Sequence, residues 1–293
     1  YGLSQAGRAV AAASTAADNN GFRLTGHGIE ARRLDQRPPL HELTVVDKGK
    51  GSFTQLAALL QSGTLPQGAT FGEIWATIPS LLGTPLGGTG GREYLPPLRF
   101  TMHGGYGGLR PGVVLEFLGW VHGLPARFAD APDSGEDDAD SGEAVRSFLA
   151  GYPTLAGSDQ SLLDYHHIAA VPDDLIPGAA KAFRSWPWPD EPPNPEAFVK
   201  DFEDRRTLPY LGDDDRWVFP ALGGSTRQLH PLLAWWALLF ALSMLARYEP
   251  AGWTGHLDVD ASPHAVALEA ALGQALDICP QLILHAICAA GRS

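Results

Sequence analysis

Cysteine is almost absent from this 293-residue chain, which carries only Cys279 and Cys288, nine positions apart in one apolar segment. On a helix that separation is about 13 Å, too far for a disulfide, whose Cα atoms must approach to about 7 Å. Two thiols alone are also too few for a structural zinc site. A pair of reduced, intracellular thiols is the expectation, and with it a cytoplasmic location. Lysine is scarce too, with arginine outnumbering it 17 to 4, and the formal net charge is −12. Tight binding to nucleic acid or to anionic membranes depends on clustered cations, so neither is expected as a partner. The densest basic group, Arg32, Arg33 and Arg37, reads as a solvated turn. No basic region followed by a long apolar run marks a signal peptide. The chain opens at Tyr1, without Met and already inside a helical pattern, and a trimmed N-terminal portion is the expectation.

Several catalytic signatures are missing. The glycine run Gly87–Gly91 lacks the Lys-Ser/Thr ending of a phosphate loop and misses the dinucleotide spacing, so flexible turns account for it. Seven acidic residues lie between Asp130 and Glu143 with almost nothing apolar. They lack the ligand spacing of a calcium loop and read as a mobile, solvated segment. No Gly-x-Ser-x-Gly frame surrounds Ser225. Asp164, His166 and His167, followed by Asp173 and Asp174, form the densest metal-capable group. Adjacent histidines on one element point apart, and no His-Glu-x-x-His accompanies them. A metal-assisted hydrolase ranks last among the functions considered, and no metal or cofactor is expected.

What is present is mostly helical pattern. Apolar or small residues at Leu3, Ala6, Val10, Ala13 and Ala17 predict a helix to about Ala17. Leu43–Val46 predicts a short strand. Ser52 and Thr70 are candidate caps for helices over 53–61 and 71–82, the second interrupted near Pro79. Leu98–Met102, Val113–Trp120 and Trp217–Phe219 predict short strands, and a helical pattern returns over Ala144–Ala150. From Leu232 to Ala246 every residue but Ser243 is apolar. Fifteen residues fall short of the roughly twenty that cross a bilayer, so the run predicts the central helix of a core. Pro250 closes it, and a last helix is expected from Ser262-Pro263, broken at Pro280. The fold expected is mainly α with a few short strands (α+β). It is a single domain over 1–293, with a helical part over 1–82, a mixed middle over 92–219 and C-terminal core helices over 229–290.

The most unusual stretch is Leu242 to Trp253, where Arg247, Tyr248 and Glu249 follow the apolar run just before Pro250. Structurally, Arg247 complements the carbonyl end of its helix and pairs with Glu249 while Trp253 covers the end. Functionally, the same cation would hold an anionic group in a pocket. Arg247, Tyr248, Glu249, Trp253, His256 and His27 are the candidate binding residues.

This stretch, Leu-Ser-Met-x-x-Arg-Tyr-Glu-Pro-x-x-Trp, resembles the YaaC-like family of bacterial proteins. The opening Tyr1-Gly2-Leu3, with a small and apolar helix leading to His27-Gly28, is similar to that family's early motif. The resemblance brings no established activity and implies a further helical segment before Tyr1. A second resemblance, to HEPN domains, rests on Tyr1 to Gly28. Ribonuclease members carry Arg, four to six residues, then His. Here Arg23 to His27 leaves three between and Arg247 to His256 leaves eight, so the nuclease pattern is not met. The reading is a helical binding or protein-interaction module that self-associates through a helical surface. Its rival is a HEPN-like ribonuclease or nucleotide-handling enzyme using Arg247 with His256 or His27.

Overall fold

Helices and antiparallel sheets are both present, so the chain is mixed α+β. The computed structural model describes residues 2–14, 26–106, 116–129, 139–158, 170–187 and 195–291. These fall into two compact units, one formed by Tyr1–Pro96 with Pro220–Ser293 and the other by Pro97–Phe219.

In the first unit, α1 (Gly2–Ala13) precedes a small antiparallel sheet of β1 (Ile29–Arg32), β2 (Thr44–Asp47) and β3 (Ala69–Thr70). Between β1 and β2 lie two 3-10 turns, Leu34–Gln36 and Leu40–Glu42. The α2 helix (Ser52–Leu59) starts from Gly51, not from a serine cap. Ser52 is buried and its hydroxyl donates to the Gly26 carbonyl at 2.8 Å, tying the helix start to the chain before β1. Gly28 and Gly51 make that approach possible. A Cβ on Gly28 would stand 2.7 Å from the Gly51 carbonyl carbon, and its φ of +71° is one that glycine adopts without the strain a side chain would bring. Thr70 caps α3 (Phe71–Ala76) through a reciprocal capping box with Glu73. The helix expected over 71–82 ends at Ala76, and at the interruption expected near Pro79 the extended Ile78 leads into a 3-10 turn.

The apolar run becomes α6 (Pro231–Tyr248), with Trp235, Leu233, Ala237 and Leu238 fully buried. His230 caps it, its Nδ1 accepting the Leu232 N–H at 3.1 Å. Pro250 does end α6, yet it also occupies the first turn of a further helix, α7 (Pro250–Leu257). Proline has no N–H to lose there. The last helix, α8 (Ala265–Ala290), begins after His264, with the Ser262 hydroxyl accepting the His264 N–H at 3.1 Å. It runs through Pro280 without a break. Pro280 is exposed, where a local opening of the ladder faces solvent. Both α6 and α8 are long and apolar enough to cross a membrane, with 67% and 33% of the apolar window buried inside the protein.

The second unit is built on a six-stranded antiparallel sheet. Its order is β6 (Val171–Pro172), β7 (Ala179–Pro187), β5 (Glu116–Pro125), β4 (Leu98–Tyr106), β9 (Arg216–Val218), β8 (Leu208–Pro209). Three of these strands have nine or ten residues, longer than the sequence pattern suggests. One face is apolar, with Leu98, Phe100, Val121, Ala182 and Trp186 all buried. Trp186 packs on Phe202 of α5 (Pro195–Arg206), ring centroids 5.3 Å apart. The α4 helix (Ala139–Leu149) takes in the end of the acidic stretch, so residues 139–143 are helical, not loop. Residues 130–138 of that stretch lie outside the described residues, as do Asp164, His166, His167 and Arg23.

Candidate functional site

The joint between α6 and α7 builds a cleft in the first unit. Pro250 keeps Glu249 out of helical geometry, and its φ of −132° and ψ of 60° turn the chain. Glu249 thereby serves both helices, donating its N–H to the Leu245 carbonyl at 2.8 Å and accepting the Trp253 N–H at 2.9 Å. Opposite it, Arg33 and Arg37 bracket the first 3-10 turn in left-handed conformations, φ 59° and 48°. Non-glycine residues reach that region at a cost of about 1 kcal/mol or more. The Arg37 Nε donates to Glu249 Oε2 at 2.9 Å. Between these elements lies a cleft of about 530 Å³. Its apolar wall includes Leu34, Pro39, Leu40, Leu43 and Leu245; Arg37, Glu249, His256 and His264 supply the polar groups.

The imidazoles of His256 and His264 meet edge to face, centroids 5.5 Å apart. Burial lowers the pKa of His256. It also lowers that of His264, assisted by repulsion from His256 and His41 and opposed by a hydrogen bond to the Gly87 backbone. Both rings are therefore neutral at neutral pH. The Nδ1 atoms of His264 and of the buried His41 have no hydrogen-bond partner among the described residues. An unpartnered buried nitrogen carries a desolvation cost of about 1–3 kcal/mol, which a polar ligand atom or water relieves.

A second cleft of about 520 Å³ lies against the neighbouring run of α6 residues, Phe240, Met244 and Tyr248, with His27, Lys48 and Lys50 among its lining. The His27 ring stands 6.0 Å from Phe240, and Lys48 is paired with Glu30 at 2.6 Å. The candidates from the sequence are thus divided. Glu249 and His256 share the first cleft, His27 and Tyr248 the second, and Arg247 and Trp253 line neither. Arg247 is exposed, its guanidinium 5.9 Å from the Tyr248 ring centre, and it does not hold Glu249. That partner is Arg37, 212 positions away, in the turn expected to be merely solvated. No sequence signal links the two. Arg247, His256 and His27, the set a nuclease would need, share no cleft, hydrogen bond or ring contact among the described residues.

The second unit holds a constellation that sequence reasoning missed. His122 of β5 is buried, its Nε2 2.8 Å from the Thr101 hydroxyl and its Nδ1 2.9 Å from Asp173 Oδ1. Asp173 also accepts the N–H of Gly123 at 2.9 Å and those of Leu175 and Ile176 at 2.8 and 3.3 Å. The Gly123 amide is available because the strand bulges between His122 and Leu124. Burial raises the Asp173 pKa, but the His122, Leu175 and Gly123 hydrogen bonds outweigh it and the net shift is downward. Asp173 is thus a carboxylate, which selects the tautomer with the proton on Nδ1. Asp174 completes a trio within metal-binding reach of one another, yet it is paired with Lys181 at 2.5 Å. Both His122 nitrogens are already engaged, so the trio suits a proton relay better than an ion. The sequence showed Asp173-Asp174 but not the histidine 51 residues earlier that gives the pair its chemistry.

These sites belong to a protein of two units, one helix-rich with a cleft at a helix joint and one built on an antiparallel sheet. Residues 157–287 match the family model described as YaaC-like Protein. The match supports the YaaC-like resemblance and contains its Leu242–Trp253 block, while the Tyr1–Gly28 block lies outside it. No curated protein and no solved structure matches the chain.

Proposed function

We propose that this chain is an intracellular binding module whose first unit takes a small, largely apolar molecule with one polar end. The cleft at the α6–α7 joint carries the proposal. Its volume of about 530 Å³ falls in the range of small-molecule sites, about 300–1,000 Å³. Apolar walls with a few convergent polar groups are the usual composition of such sites. Arg37 and the two imidazoles offer donors to an anionic or carbonyl end. Cys279 and Cys288 are both free, which suits a reducing compartment. Self-association through α8 remains part of the proposal, supported by Val266, Leu276 and Leu284, which are 68%, 77% and 63% exposed.

The test uses Gly255, which lines the cleft and where an added Cβ meets no described residue within 4 Å apart from the backbone of its own helix and its chain neighbours. Gly255→Phe should fill the cleft without forcing the backbone. The probe is 1-anilinonaphthalene-8-sulfonate, an apolar ring system with an anionic end. Fluorescence titration should show saturable binding to the parent protein, weakened at least tenfold in Gly255→Phe at unchanged melting temperature. Equal affinity in both folded proteins would remove the cleft as the binding site.

A further inference from the structure

We propose that the partly exposed face of the six-stranded sheet is a hydrolytic site for carboxylate-bearing esters, with Thr101 as nucleophile, His122 as base and Asp173 as the group that orients it. This is independent of the cleft in the first unit. An activated hydroxyl needs a base within hydrogen-bond reach and a third group fixing that base. Thr101, His122 and Asp173 meet both conditions at 2.8 and 2.9 Å. With the proton on Nδ1 facing Asp173, the Nε2 lone pair is left to accept from Thr101. Asp173 is itself immobilised by backbone N–H groups from the Gly123 bulge and from Leu175 and Ile176. The side chains of His122 and Asp173 are buried, and Thr101 is half-buried on the same face of the sheet as the half-buried Trp120 and Lys181.

The register supplies the substrate preference. Arg99 of β4 and Lys181 of β7 stand directly opposite His122 on its two sides. Cross-strand partners share a face. Two cations therefore flank the relay, tethered to Asp215 and Asp174 at the rim. Lys181 also lies 4.7 Å from the Trp120 ring centre, and Trp120 is the partner of Thr101 across the strands. An ester with a carboxylate would place its charge on these cations and its carbonyl at Thr101.

In the first step Thr101 Oγ1 bonds to the acyl carbon and its proton passes to His122 Nε2. That proton then leaves with the alcohol as the ester C–O bond breaks. Water repeats the exchange. Its oxygen bonds to the acyl carbon, its proton passes through His122 to Thr101 Oγ1, and the free acid departs.

The experiment compares hydrolysis of mono-4-nitrophenyl succinate by the full chain and by Thr101→Val, Thr101→Ser and Lys181→Gln. A fluorophosphonate probe with peptide mass spectrometry reports the nucleophile directly. General-base and nucleophilic assistance is worth about a hundredfold or more, so Thr101→Val should lose at least that factor. Thr101→Ser should retain activity, separating chemistry from folding, and the adduct should map to the Thr101 peptide. Lys181→Gln should raise KM for the succinate ester more than for neutral 4-nitrophenyl acetate. Hydrolysis by folded Thr101→Val equal to that of the parent, or no adduct at Thr101, would overturn the proposal.

Discussion

Removing the indole of Trp235 tests whether α6 organises the first unit. Trp235 is 0% exposed and is the largest fully buried side chain among the described residues. It sits on the first turns of α6 among Leu232, Leu233, Trp236 and Leu238, all buried. Trp235→Ala deletes the indole and leaves a cavity that packed neighbours can only partly close, which costs about 3–5 kcal/mol. Each kcal/mol lowers the melting temperature by about 2–4 °C in a domain of 150–250 residues, so a fall of about 10 °C is expected. The assay is thermal unfolding followed by near-UV circular dichroism, with urea titration as a check on the slope. Leu239 on the same helix is only half-buried, so Leu239→Ala should lose markedly less. A melting temperature within 2 °C of the parent for Trp235→Ala, or equal losses at 235 and 239, would refute the assignment of the buried face.

Three further outcomes follow from the geometry. The buried cap His230 has its pKa lowered from 6.5 to about 3, by burial first and then by the nearby His285. The unfolded chain therefore binds more protons below pH 6.5, and stability should be full above that value and fall toward pH 3 by up to about 1.4 kcal/mol per unit. Urea unfolding at pH 7.5 and 5.5 reads this, and His230→Asn, which still caps, should flatten the slope; an unchanged slope would exclude His230 as its source. Arg247→Ala should shift stability by no more than about 0.5 kcal/mol, because the side chain is exposed and does not hold Glu249; a larger loss by chemical denaturation would restore it as the helix-closing cation. Thr70→Ala removes the capping box of α3 and should cost about 1 kcal/mol, a prediction that fails if the denaturation midpoint does not move.

Much of the local structure could be read directly from residue order. The long apolar run predicted α6, Thr70 as a cap marked the start of α3, and the Leu98–Met102 segment marked β4. Such signals are local: they depend on side-chain period and on backbone groups within one turn. Helix ends were harder to read, because a proline that must end one helix can equally begin the next, as Pro250 does, or be carried on an exposed face, as Pro280 is. Within the apolar run every position looked alike, and only packing separates fully buried Leu238 from half-buried Leu239. The sites depended still more on tertiary structure. Glu249 and His256 were visible as candidates, but Arg37 reaches Glu249 across 212 positions, and Thr101 and Asp173 reach His122 across 21 and 51. Nothing in residue order encodes those meetings. They arise where a left-handed arginine faces a helix joint and where a bulged strand turns its free amide toward a carboxylate, and both are decided by how the elements pack.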